Sequence, residues 1–369
     1  MQFIDLKAQY EAYKSEIDAA IAEAVASIRF INGPQVSELE QQMADYVGVK
    51  YAVGLSSGTD ALLAPLMAWG IGPGDEVITT PFTFIATAEV VALTGATPVF
   101  VDIEPDTLNI DPNQIEAAIT PRTKAIIAVG LYGQCADMDA VQAIADKHGL
   151  KVIEDAAQSM GAEYKGRRSG SLGHVAGTSF FPAKPLGGMG DGGMAFTNDE
   201  ELAKTMRMIK EHGQTAHYRH GKIGINGRLD TIQAAILLVK LKYFDDEIAA
   251  RQKVAQYYMD NMPDGARGPV IREGNLSAFA QFTVRVPQRD KVVELIRETG
   301  VPIAVHYPLP LNRQPIFLEM RQKAGLEPET FANAELAANE VMSLPMHPFM
   351  QQADQDTVLN AIKEALGKL

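Results

Sequence analysis

From about residue 51 to residue 211, short apolar runs alternate with stretches of helical period, and this alternation constrains the fold more than any other feature. The runs YAVGL (51–55), EVIT (76–79), TPVFV (97–101), KAIIAV (124–129), KVIED (151–155) and GTSFF (177–181) read as buried strands. Between and after them Thr59–Trp69, Ile85–Leu93, Pro112–Ile119, Met138–His148 and Asp199–Glu211 read as helices. Apolar strands separated by helices imply a parallel sheet covered on both faces. The helix boundaries carry their own signals: Asp111 precedes Pro112 as an N-cap before a first-turn proline, and Asp199 stands before the helix that includes Leu202.

After about residue 250 the pattern changes. FAQFTVRV (279–286) alternates as a strand, a helix follows near 290–299, PIAVHY (302–307) reads as a strand, and a last helix covers about 353–367. The chain therefore divides into residues 1–250, an N-terminal helix at about 9–28 with a large α/β domain, and residues 251–369, a smaller α+β domain. With 46% hydrophobic and 21% charged residues among 369, there is material for a large core and no sign of disorder. No run of apolar residues suits a membrane span, the first residues resemble no leader, and the expected compartment is the cytoplasm.

Charge and cysteine content exclude several function classes. A net charge of −13 argues against nucleic-acid partners, and Cys135, the only cysteine, can form neither an intrachain disulfide nor a cysteine-rich metal site. No metal site is expected. One segment runs against the acidic balance: Lys204, Arg207, Lys210, Arg219, Lys222 and Arg228, with His212, His217 and His220, face the single acid Glu211. It reads either as a focus for an anionic ligand or as a solvated helix face followed by a basic loop.

In an open α/β sheet, ligands collect at the C-terminal ends of the strands. The first run ends in SSGTDAL, where Gly58 and Thr59 open a helix whose free N–H groups suit a phosphate; a glycine turn before an N-capped helix gives the same string. Strand 151–155 ends in EDAAQS, with Asp155 at its terminus and Gln158 one helical turn on. Asp155 suits a protonated pyridine nitrogen, or else caps the next helix. SFFPAKPLGGMGDGG (179–193) fixes Lys184 between Pro182 and Pro185. Such a lysine in a desolvated site has a depressed pKa and can form an imine, although a surface lysine in a glycine-rich loop is the commoner case. The constellation decides: phosphate cradle, pyridine partner and constrained lysine are the three contacts that pyridoxal phosphate requires.

At these residues the sequence resembles the DegT/StrS family of nucleotide-sugar aminotransferases over essentially the whole chain. FIDL (3–6), INGPQVSELEQQMADYVG (31–48), SSGTDAL, TTPFTFIATAE (79–89), EDAAQS, SFFPAKPLG and GINGRLDTIQAAIL (224–237) carry the resemblance. It implies the pyridoxal-phosphate-dependent transferase fold type I, aspartate aminotransferase-like, with a mostly parallel seven-stranded sheet. ITPRTKAI, LYGQCADMDA and AVHYPLPLN further resemble the subgroup that aminates C3 of UDP-2-acetamido-2-deoxy-3-oxo-D-glucuronate with L-glutamate as donor, for bacterial surface polysaccharide (O-antigen). A C4-directed UDP- or dTDP-keto-hexose aminotransferase is the alternative, and a pyridoxal-phosphate-binding regulator without turnover is a more distant one.

By position, the resemblance implies that Lys184 is the imine-forming lysine and acid/base, Asp155 the pyridine partner, and Gln158 the neighbour of the ring oxygen. Gly58, Thr59 and Ser179 match phosphate contacts, Phe84 the aromatic that stacks on the ring, and Asn226 a phosphate contact given by the neighbouring subunit, so a homodimer with shared sites is implied. Arg228, His306 and Tyr307 lie in stretches that line the sugar-nucleotide pocket of relatives; a structural role in pairing or strand packing remains their alternative. Many relatives have asparagine after the lysine, whereas Pro185 stands here, as in the C3-aminating subgroup.

Overall fold

A computed structural model describes residues 1–369. Seven strands form the central sheet: β1 Tyr51–Leu55, β2 Glu76–Thr79, β3 Thr97–Phe100, β4 Thr123–Val129, β5 Lys151–Asp155, β6 Val175–Ser179 and β7 Gly193–Thr197. Their order is β1-β7-β6-β5-β4-β2-β3. All run the same way except β7, which pairs antiparallel with both β1 and β6. The sheet is thus mostly parallel and seven-stranded, and its strands are apolar nearly throughout because both faces are covered.

Helices α1 Leu6–Ala26, α2 Pro34–Val47, α3 Gly58–Ala68, α4 Ala86–Leu93, a short α5 Pro112–Ile115, α6 Met138–His148, α7 Glu200–Ile209, α8 Thr231–Leu241 and α9 Phe244–Asp260 surround the sheet. Two core clusters lie against it. One gathers residues such as Leu39, Met43, Ile126, Val152, Phe196 and Leu237; the other joins Val53, Leu62, Val77, Ile127, Ile153 and Met206. A further cluster draws only on residues between Val254 and Ala365. It is built around β8 Phe282–Arg285, paired antiparallel with β9 Val341–Leu344, and the helices α10 Arg289–Glu298 and α11 Gln352–Leu366.

Several elements differ from expectation for physical reasons. The strand expected at 279–286 starts only at Phe282, because Phe279 adopts φ 44° and breaks the extended run. The strand expected at 302–307 reduces to a single bridge between Ala304 and Ser343; prolines at 302 and 308 withhold the donors a longer ladder needs. The run at 177–181 pairs as Val175–Ser179, since the chain turns at Ser179, whose Oγ accepts from Phe181 N–H at 3.2 Å. The helix expected at 112–119 is one α-turn, Pro112–Ile115, followed by the 3₁₀ turn Glu116–Ala118. α1 begins earlier than expected, where Asp5 caps it by accepting from Ala8 N–H at 2.8 Å.

Register brings three strand ends together. Gly193 on β7 is the partner of both Leu55 on β1 and Ser179 on β6, so the segments that follow these strands leave the sheet side by side. Asp155, at the end of β5, pairs with Gly177 of β6.

Candidate active site

At this edge of the sheet lies a cavity of about 580 Å³. Gly58, Thr59, Phe84, Asp155, Gln158, Ser179, Lys184, His306 and Tyr307 all line it, so nine of the residues singled out from the sequence share one wall. Asn226 and Arg228 do not line the cavity of their own chain.

Each side chain is placed by a local device. Ser57 caps α3 by accepting from Asp60 N–H at 3.1 Å, and the first N–H groups of that helix, Gly58 and Thr59, have no helical carbonyl to bond. A Cβ at position 58 would stand 2.6 Å from Ser179 Cβ, so only glycine lets the helix start and the end of β6 close into one cradle. Partial positive charge at the helix start and the Ser179 hydroxyl suit a phosphate.

Asp155 is 5% exposed, and its carboxylate has only neutral partners: the Thr87 hydroxyl donates to Oδ2 at 2.8 Å, the Ala157 N–H to Oδ1 at 3.1 Å. Burial pushes its pKa up, against those two bonds and the charge of Lys184. Burial pulls the Lys184 pKa down, opposed by the Asp155 charge. A buried carboxylate without a bonded cation and an amine eased toward its neutral form, in one cavity with a phosphate cradle, fit pyridoxal phosphate in ring nitrogen, aldehyde and phosphate.

The amide of Gln158 has a fixed orientation. Its Oε1 accepts from Tyr132 N–H at 2.9 Å, which leaves Nε2 to donate to the Tyr307 hydroxyl at 3.2 Å and toward the cavity. Burial, and then the Asp155 charge, raise the Tyr307 pKa, so the phenol stays protonated. His306 Nδ1 lies 2.9 Å from Ser343 Oγ; burial and the Lys184 charge lower its pKa, which makes it a neutral imidazole at pH 7. Phe84 is exposed at the cavity wall, its ring 6.5 Å from that of Tyr307.

The sequence reading misses Thr87, which holds Asp155, and Tyr132, which aims Gln158. Thr87 is a hydroxyl residue within the otherwise apolar start of the helix expected at 85–93, which is the available signal, and Thr83 Oγ1, from the loop before that helix, lies 3.2 Å from its hydroxyl. Phe3 and Ile4, from the FIDL stretch, and Asp191 and Gln281 also line the cavity, though none was singled out as a site residue.

The basic segment is largely neutralised. Lys204 pairs with Glu200 and Glu201, while Arg207 and Lys210 both reach Glu40 of α2. Arg228 donates to Glu211 Oε2 at 2.9 Å and keeps its buried Nε unpaired. The acids of that pairing, apart from Glu211, lie outside the segment. Arg219 and Lys222 remain exposed on and beside the ribbon formed by Gln214–Ala216 and Arg219–His220. No three potential metal ligands come together, and no helix is long and apolar enough to cross a membrane.

Fold and site together define an aminotransferase of fold type I that works with pyridoxal phosphate. Residues 11–363 match the model of the DegT/DnrJ/EryC1/StrS aminotransferase family, and the chain belongs to that family. It is 54% identical to UDP-2-acetamido-2-deoxy-3-oxo-D-glucuronate aminotransferase of Pseudomonas aeruginosa, over 98% of this chain and 99% of that one. The crystal structure of a family member from Brucella abortus superimposes with a TM-score of 0.95 at 44% identity, covering 100% of both chains. NtdA of Bacillus subtilis, solved with bound cofactor PMP, aligns with a TM-score of 0.89 at 32% identity, over 96% of this chain and 82% of that one.

Proposed function

We propose that the protein transfers the amino group of L-glutamate to C3 of UDP-2-acetamido-2-deoxy-3-oxo-D-glucuronate. The products are UDP-2-acetamido-3-amino-2,3-dideoxy-D-glucuronate and 2-oxoglutarate, made in the cytoplasm for surface polysaccharide such as O-antigen. The observation that carries the substrate is the 54% identity, end to end, with the Pseudomonas aeruginosa enzyme of that specificity.

When bound, pyridoxal phosphate supplies a carbon that accepts the amine and a ring that takes up the electron pair released at the reacting carbon. Lys184 Nζ removes the proton from the amine-bearing carbon of glutamate and, in the second half, returns a proton to C3 of the sugar. Burial favours this by keeping a fraction of the amine neutral. Asp155, whose carboxylate Thr87 and Ala157 fix, would pair with the ring nitrogen and hold the proton there. Among the residues lining the cavity, Gln158 Nε2 would donate to the ring oxygen, Phe84 would cover the ring, and Gly58, Thr59 and Ser179 would bind the phosphate. His306 donates as a neutral imidazole and Tyr307 as a phenol to the sugar's acidic group.

The assembly proposed is a homodimer in which Asn226 of the partner subunit completes the phosphate contacts. Asn226 is exposed and bridges to Glu211, which also accepts from Asn32 at 2.7 Å. Around this segment Ile28, Phe30, Ile31, Tyr218 and Ile223 are exposed, Tyr218 and Ile223 at 84% and 85%. A cluster of large apolar side chains on one side of a chain marks an interface.

The test is spectroscopic. Protein loaded with pyridoxal phosphate has a visible band that glutamate removes and the 3-oxo UDP-uronate restores. If only a 4-oxo hexose nucleotide restores it, the substrate assignment fails and the C4-directed alternative takes its place. If glutamate leaves the band untouched, the donor is wrong.

A further inference from the structure

α8 runs behind the turn that carries Lys184 and holds the loop after it at two points on one face. Gln233 Oε1 accepts from Met189 N–H at 2.8 Å. Seven residues on, two turns along the same face, Lys240 Nζ donates to the Gly187 carbonyl at 2.5 Å. Lys240 is 4% exposed. The acid that acts on it is Glu247 of α9, which is engaged by Gln9 of α1 at 2.9 Å and forms no ion pair with it. No other charged group acts on Lys240; Tyr13 of α1 faces that same carboxylate and is held protonated by burial and by it.

The turn itself is stiff. Lys184 N–H donates to Phe181 O at 2.8 Å, and Gly188 N–H to Phe180 O at 2.7 Å. A Cβ at Gly187 would stand 2.3 Å from Pro182 O, so the two ends of the turn touch. Pro182 and Pro185 fix two further φ angles. A displacement at Gly187 is therefore passed to Lys184 rather than absorbed between them. A buried ammonium without a bonded carboxylate is costly to fold, and an apolar side chain of the same length would fill the space at lower cost.

We propose that Lys240 is a positioning residue for the amino-transfer reaction, holding the Lys184 turn through the Gly187 carbonyl so that Lys184 Nζ stays in line with the ring opposite Asp155. This rests on the cofactor and on the role of Lys184 given above. A residue kept only for packing would be expected to be apolar, and a residue kept only for solubility would be exposed.

The experiment compares the loaded wild-type enzyme with Lys240→Met and Lys240→Gln. Burial lowers the Lys240 pKa to about 8 from 10.5. Between those values the unfolded chain binds a proton that the folded chain does not, so wild-type stability gains a contribution as pH rises through this window. Lys240→Met should remove that gain and keep or raise the urea midpoint at pH 7. Its kcat should fall about tenfold to a hundredfold, as for a small misplacement of a reacting group. Both KM values should change little, and the pH at which the cofactor's visible band titrates should shift, because that pH reports on Lys184. Lys240→Gln, which restores a donor without the charge, should recover part of kcat and return the band toward its wild-type titration. Wild-type kcat and band titration in Lys240→Met overturn the proposal. So does a fall in stability and activity together with an unmoved band, which is the signature of packing alone; if Lys240→Met does not fold, Lys240→Gln is read by the same criteria. A wild-type enzyme without a glutamate-sensitive band would instead defeat the proposed function, a result independent of these variants.

Discussion

The end of the sheet that holds Asp155 and Lys184 and the rim that holds Asn226, Arg228 and the exposed ribbon face similar tasks in opposite ways. At the sheet end the polar groups already have inward-facing partners: Thr87 for Asp155, Tyr132 for Gln158, Lys240 for the Lys184 turn. At the rim, Arg228 shares Glu211 with Asn32 and leaves its buried Nε unpaired, while Tyr218 and Ile223 stand in solvent. A cofactor that stays through many turnovers is served by a rigid, preorganised wall, because that wall need not be rebuilt at each cycle. Substrates that enter in turn, and the second subunit proposed above, would be served by groups whose last partners arrive with them.

If that contrast is real, substitutions at the sheet end should act on chemistry and those at the rim on affinity. The largest effect belongs to Lys184→Gln. Loss of the proton carrier should lower both half-reactions by about 10⁴-fold or more, measured as single-turnover rates with glutamate and with the keto sugar. Unequal effects on the two halves would show that another group moves the proton in one of them and would break the contrast.

Asp155→Asn comes next, with a fall of about 10²- to 10³-fold in kcat, the range for removing one preorganised electrostatic contact. Its effect on the cofactor-free protein has the opposite sign. Burial raises the folded pKa of this acid above its unfolded value, so its ionised form costs stability at neutral pH. The cost is relieved as pH falls through the raised value. Asn removes it, and the stripped variant should match or exceed wild type in denaturation midpoint at pH 7. A stripped variant that unfolds more readily would show that Asp155 is there for the fold.

The same contrast explains what could be read from the sequence. Residues at the ends of β1, β5 and β6 were legible because a strand, its last residue and the turn after it are consecutive in the chain. β7, Gly193–Thr197, was not: its glycine start hides the apolar run, and it enters between two strands with reversed direction. α2 was not read although Pro34 in its first turn and the left-handed Gly48 at its end mark its boundaries, whereas α8 and α9 have no side-chain cap. The pairing of Lys204, Arg207 and Lys210 with Glu200, Glu201 and Glu40 was invisible from the segment's own composition, since those acids come from outside it. Asn226 and Arg228 sit beside β1, where Ser56 N–H donates to Gly227 O at 3.0 Å, yet outside their own cavity. A pattern read along one chain does not say which copy's site a residue serves.

The smallest expected effect is at Arg228, and it is the one that sharpens the contrast most. Its NH1 donates to Glu211 Oε2 at 2.9 Å, with the side chains 20% and 29% exposed, so the guanidinium is partly screened before any substrate arrives. Lysine at this position keeps the charge but loses the forked geometry that binds carboxylate or phosphate at two points. Arg228→Lys should therefore raise KM for the UDP-sugar severalfold to about tenfold, with about 1 kcal/mol as the scale for a partly exposed pair. kcat and the glutamate half-reaction should hold. Glu211→Gln frees the same guanidinium from its internal acid and should move KM for the sugar nucleotide the other way, with a steeper dependence on salt. Arg228→Lys that slows the glutamate half-reaction as well would place Arg228 among the groups that position the cofactor, and the rim would then share the work of the sheet end.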